Sequence, residues 1–267
     1  AFPHWQARRA AARTKEVLQM AVDIFEHDKE VREGPQSGKK EQLFEVGVFL
    51  FLIVPSLTFS FFPAAEGNAG FVLTAGATIL RDLALLSLVL FFIWRNRERL
   101  RAIGWTSRHV WQEIGWGVVL FVPVFFGAAY LESLLKSAGL STPSRPLPSL
   151  QAPDSAGAIA LALFFAGGEC TKPEIVVAVA EESIFRGYLI LRFERISQSA
   201  ALAVVLSAFI FSLGHGYEGS AGVVTVGTIG LVFALVYRWR NSLVAPMTMH
   251  FLQDFLAIIL LPLLGLG

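Results

Sequence analysis

Seven mostly apolar stretches of about 20 residues, near 43–62, 71–94, 111–132, 173–191, 199–217, 222–239 and 243–264, decide what this chain can fold into. Each is long enough to cross the hydrocarbon layer of a bilayer as a helix. In lipid, only helices and closed barrels satisfy their own backbone polar groups. The expected fold class is all-α, a polytopic transmembrane helical bundle of about seven spans. Composition agrees, with 54% hydrophobic residues against 16% charged and a mean hydropathy of +0.58. A net charge of +1 with no clustered basic face excludes a nucleic-acid partner. The single cysteine, Cys170, cannot form an internal disulfide and reads as packing.

An eighth apolar stretch, SAGAIALALFFAGG (155–168), is shorter. If it does not cross, Lys39 and Lys40, the basic run RNRERLRAIGWTSR (95–108), Arg192 with Arg195, and Arg238 with Arg240 all fall on one side. If it does cross, the last two clusters fall on the other. The positive-inside rule favours the first arrangement. The stretch is therefore expected to be re-entrant or interfacial, the N-terminus cytoplasmic and the C-terminus outside. Residues 1–42 form a polar leader in which Leu18, Ala21, Val22 and Phe25 fall at helical spacing, so that it reads as an amphipathic helix or a solvated tail. No short apolar run follows its basic start, and no secretory signal peptide is expected. The membrane-embedded domain is placed at 43–267, with its polar core at 173–264.

That core carries groups that do not belong in lipid. AEESIFRGY (180–188) sets Glu181, Glu182 and Arg186 inside a span, at roughly 2.5–3.5 kcal/mol each on an insertion scale. Glu182 and Arg186 are four apart and share a helix face, which makes them a natural ion pair. Glu181 sits about 100° around the helix, so one arginine cannot neutralise both carboxylates. A spare carboxylate in an apolar setting is a candidate general base. FSLGH (211–215) brings His215, and HFLQD (250–254) brings His250 and Asp254 one turn apart. Counted from the inner helix ends, His250, Glu181 and His215 lie roughly 12, 18 and 24 Å deep, compatible with one polar cavity. Arg81 and Asp82 also lie within a span but, as immediate neighbours, are expected to bond to other helices or mark a break. Gly214 and Gly216 allow close approach around His215, and Pro246 is expected to kink the last helix.

The three motifs, EESIFR, FSLGH and HFLQD, resemble in order and on successive segments those of the CAAX protease and bacteriocin-processing family of intramembrane endopeptidases. The resemblance covers roughly the second half of the chain. It implies hydrolysis of a peptide bond in a membrane-anchored, CAAX-type protein or peptide. Glu181 would activate water, His215 would hold or polarise it, and Glu182 with Arg186 would fix the helix. His250 and the residue four later would stabilise the oxyanion. The family often has Asn at that last position. Here Asp254 donates only when protonated, and otherwise orients His250. No cofactor is favoured. A zinc-dependent alternative would use His215, His250 and Asp254 as ligands, with Glu181 acting on the bound water. The non-enzyme alternatives are a proton- or metal-coupled transporter, against which no matching half-sequences are seen, and a catalytically idle membrane regulator. The partners expected are the membrane-anchored substrate and the lipid bilayer.

Overall fold

A computed structural model describes residues 38–61, 71–107, 109–141 and 172–260. The leader before residue 38, the apolar stretch 155–168 and Cys170 lie outside the described residues. Regular structure among the described residues is entirely helical, and the chain is a helical membrane bundle. Its elements are α1 (Lys39–Phe59), α2 (Phe71–Arg95), α3 (Val110–Ser137), α4 (Lys172–Glu182), α5 (Ile190–Ser197), α6 (Ala200–Leu213), α7 (Gly219–Arg240) and α8 (Val244–Asp254). A π-helical stretch, Ser183–Leu189, joins α4 to α5 in one rod, and a second, Phe255–Leu260, prolongs α8. Over its described residues, each of the seven apolar stretches thus contains one helical rod.

The rods are not equally apolar. Among the described residues, four helical segments are long and apolar enough to span on their own: Lys39–Phe59, Gly76–Arg95, Val110–Ser137 and Gly216–Arg240. The α4–α5 rod carries the charged motif, and α6, at 14 residues, is about 21 Å long and short for a bilayer. These rods lie against the others. α4 packs on α2 and α8, and α6 on α5 and α7. The outer helices present Phe44, Phe51, Leu80, Val119, Phe126 and Leu235 outward, as a lipid-facing surface would.

One end of the bundle gathers the basic clusters. Glu45 of α1 is fully buried and accepts from Arg95 Nη2 (2.8 Å), Asn96 Nδ2 (2.7 Å), Tyr188 Oη (3.1 Å) and Arg192 Nε (3.0 Å). Arg192 and Arg195 also donate to Glu98. Arg238 pairs with Glu194, and Arg240 with Glu113. The clusters at 95–108, 192–195 and 238–240 therefore meet at the same end, as expected if the chain returns to one side between them. Trp94, Trp111, Trp116 and Trp239 surround this end with exposed rings, the position of an interfacial aromatic belt. At the opposite end, Ser141 bonds to Ser220 and Ala221 at the start of α7. The α4–α5 rod also begins there, so the two residues flanking 142–171 lie at one end of the bundle.

The turn after α2 penetrates from the basic end. The 3₁₀ turn Leu100–Ile103 is closed by Gly104 in the left-handed region, φ 84°, and the Gly104 carbonyl accepts from the Leu243 N–H. A Cβ on Gly104 would stand 2.4 Å from the Tyr237 ring, and one on Gly187 would stand 2.7 Å from the Ile103 carbonyl oxygen. This close approach lets Trp105 Nε1 donate to Ser183 Oγ at 2.9 Å, beside the motif. Gly104→Ala combines left-handed strain with overpacking and is expected to cost about 2–4 kcal/mol. A melting temperature in detergent equal to wild type would contradict this.

Two local expectations change. α8 starts at Val244, so Pro246 lies in its first turn, where the missing N–H is one the helix leaves unbonded anyway. It does not kink the helix. α6 ends at Leu213, so His215 sits beyond it in the turn to α7, not within the helix.

Candidate active site

The π stretch begins immediately after Glu182. Such widened turns free backbone carbonyls and are frequent at functional sites. Here the Phe185 carbonyl accepts from Ser207 Oγ of α6 at 2.6 Å. The widened rod also makes room for Arg186, which is buried with its guanidinium 4.2 Å from the Phe211 ring centroid and 5.5 Å from that of Phe233. Arg186 Nη1 donates to Glu182 Oε1 at 2.8 Å, the i,i+4 pair expected from the spacing. Glu182 is 0% exposed, and the same Oε1 lies 2.8 Å from His250 Nδ1. An ionised carboxylate oxygen can only accept, so Nδ1 carries the proton and donates. That fixes the ring, and a second proton, when present, sits on Nε2.

Nε2 faces two further carboxylates: Asp254 Oδ2 at 3.5 Å, one turn along α8, and Glu181 Oε2 at 3.7 Å. The two glutamates have separate surroundings, as their angular offset requires. Glu182 points inward to Arg186 and His250, whereas Glu181 retains 13% side-chain exposure. The other Glu181 oxygen, Oε1, lies 3.8 Å from Arg81 Nη2 of α2. Arg81 thus pairs with another helix as expected, but Arg81 and Asp82 also bond to each other, which was not expected from the sequence. Nε and Nη2 of Arg81 both reach Asp82 Oδ1, each at 2.9 Å. The arginine side chain is long enough to fold across the 100° between neighbouring positions. The signal was present as a charged pair inside an apolar run, and helix-face geometry alone misjudged it.

His215 joins through an aromatic contact. Its Nδ1 lies 3.2 Å from the Phe211 carbonyl oxygen, which can only accept. Its ring lies 5.0 Å from that of Phe211, and the Phe211 ring is 6.0 Å from that of His250. Glu181, Glu182, Arg186, His250 and Asp254 thus form one contiguous cluster, with His215 at its edge toward the turn. Among the described residues, no three His, Cys, Asp or Glu side chains are grouped as metal ligands, and His215, His250 and Asp254 do not form such a set.

Residues 174–256, which carry this cluster, match the family described as Rce1-like, type II CAAX prenyl endopeptidase Rce1-like. The match spans less than a third of the chain. No curated protein and no solved structure matches. Over the segment that builds the cluster, the chain is similar to a family of membrane endopeptidases, the one its three motifs resemble.

Proposed function

We propose that the chain is an intramembrane endopeptidase of the glutamate type, acting on a membrane-anchored protein or peptide of the prenylated CAAX kind. The observation that carries this reading is the different state of two adjacent carboxylates. Glu182 is sealed and committed to Arg186 and His250, while Glu181 is partly open and has gaps of 3.7 and 3.8 Å to its nearest nitrogens. Gaps longer than a hydrogen bond leave room for an intervening molecule. Glu181 takes a proton from a water as the water oxygen attacks the peptide carbonyl carbon. The same proton then passes to the leaving amine nitrogen as the C–N bond breaks. His250, held by Glu182, aligns the water from Nε2. Having two carboxylates at that nitrogen suits a water, which can donate to both, better than an oxyanion. Asp254 then acts in the orienting role open to it. His215, held by the Phe211 carbonyl and joined to His250 through the Phe211 ring, shapes the wall beside the water rather than taking a third hydrogen bond from it.

Under this reading residues 173–264 form the catalytic core. The basic end faces the cytoplasm, with the N-terminal flank there and the C-terminus on the opposite side, an arrangement supported by the shared end of the basic clusters. The test is cleavage, by purified protein in detergent, of a quenched peptide ending in a farnesylated CAAX sequence and of the same peptide without the prenyl group. Glu181→Ala is expected to lower the rate by about 10³-fold, and a zinc chelator to leave it unchanged. Loss of cleavage with chelator would move the reading to the zinc-dependent form. Absence of cleavage of either peptide by wild type would favour a transporter or an idle regulator.

A further inference from the structure

We propose that Arg81 is a catalytic residue whose guanidinium donates to the substrate carbonyl oxygen as it becomes an oxyanion. This rests on the glutamate reading of the site. The cluster is rich in acceptors: Glu181, Glu182, Asp82 and Asp254 supply four carboxylates within one contact network. Attack on a peptide carbonyl adds a further negative charge, and it must be met by a donor that is not already used. Arg186 is 1% exposed and committed to Glu182 and the Gly230 carbonyl. His250 Nδ1 is committed to Glu182, and its Nε2 faces the oxygens of Asp254 and Glu181. An oxyanion placed there would meet two carboxylates.

Arg81 stands on the other side of Glu181. Its side chain is 45% exposed, and Nε and Nη2 anchor it to Asp82, which is itself buried. The tether fixes the plane of the guanidinium: Nη2 lies between Asp82 and Glu181 Oε1, and Nη1, which has no acceptor among the described residues, is the edge left to donate to the substrate oxygen. Arginine stays charged and is an obligate donor, so this side of the carboxylate is where developing negative charge is best stabilised. Glu181 then works between two positions, water on the His250 side and carbonyl oxygen on the Arg81 side. In the step, the water oxygen bonds to the carbonyl carbon and the carbonyl π pair moves onto oxygen. The water proton goes to Glu181 and later to the amine nitrogen as C–N breaks. Arg81 keeps its own protons throughout.

The experiment compares wild type, Glu181→Ala, Arg81→Gln, Arg81→Lys and Asp82→Asn on the farnesylated quenched peptide, with kcat, KM and the pH–rate profile, and with a thermal melt as the folding control. Arg81→Gln is expected to lower kcat by about 100-fold, the scale for loss of one oxyanion donor. KM should stay within about threefold of wild type by the same logic of transition-state-only contact, with the acid limb of the profile in place. Arg81→Lys should recover about tenfold of the loss, because it restores a cation but not the tethered fork. If Arg81→Gln does not fold, Arg81→Lys and Asp82→Asn carry the same kcat test. Three results would overturn the proposal while leaving the glutamate reading standing on an inactive Glu181→Ala: an unchanged kcat, a rise confined to KM, or an acid limb that moves upward with an unchanged plateau. The last would mean that Arg81 only keeps Glu181 ionised. An inactive wild type would overturn both readings together.

Discussion

Replacing both members of the buried pair, as Glu182→Leu with Arg186→Met, is expected to cost less stability than either replacement alone and still to lower the cleavage rate by at least about 10- to 100-fold. Each single change strands a charge in the interior. Glu182→Leu leaves the guanidinium between Phe211 and Phe233 without its carboxylate, and Arg186→Met leaves a fully buried carboxylate with only His250. Breaking such a pair costs about 3–5 kcal/mol, whereas exchanging the whole pair for apolar residues of similar volume is often neutral or stabilising. The methionine fills the space between the aromatic rings, and a double-mutant cycle on thermal melts should show a coupling of at least about 2 kcal/mol. Activity follows a different path. His250 Nδ1 loses its acceptor in the double variant, so the ring is free to turn and to change tautomer. A lost orienting partner of this kind typically lowers rate by 10- to 100-fold or more. A double variant as unstable as the sum of the singles would refute the buried-pair account. One that cleaves at the wild-type rate would refute the role given to Glu182 in holding His250.

The spacing of residues carried much of this site. Glu182 with Arg186 and His250 with Asp254 are four apart, and helical geometry puts each pair on one face wherever the helix lies in the bundle. The seven rods were readable because a lipid-spanning helix must be a long apolar run. The conjunction of basic clusters was readable because charge follows the topology of spans. Other features depend on information that no local pattern holds. The π stretch after Glu182 has the same apolar composition as an α-helix, and it is fixed by packing of Phe185, Arg186 and Ser207 against neighbouring helices. The mutual bond of Arg81 and Asp82 is not legible from Cβ directions, because it depends on the reach of the arginine side chain across neighbouring helix positions. Pro246, by contrast, does not kink α8 because it is only the third residue of a helix that opens right after the polar turn Asn241–Ser242, a start that the sequence does mark.

The second large effect is expected far from the chemistry, at Glu45. This residue is one of the least exposed in the protein, yet it lies in the first rod, outside the three motifs. It collects four donors from α2, the turn after it and the α4–α5 rod. Residues 147 apart in sequence, Glu45 and Arg192, are joined by a 3.0 Å contact, so the pair fastens the first helices to the motif-bearing rod. Glu45→Ala leaves Arg192, whose side chain is 0% exposed, with Glu98 as its remaining carboxylate. It also leaves the Tyr188 hydroxyl without the acceptor that now holds it. The expected loss is about 3–5 kcal/mol, read as a melting temperature lower by about 10 °C. Arg192 lies 11 residues beyond Glu181 along the rod, about 16 Å at 1.5 Å per residue, too far to touch substrate at the cluster. Below its new melting temperature, Glu45→Ala should therefore cleave peptide with kcat within about threefold of wild type, as expected when a change is remote from the reacting groups. An unchanged melting temperature would show that water or neighbouring groups replace the lost carboxylate. A collapse of kcat in the still-folded variant would show that the basic end and the Glu181 cluster move as one unit.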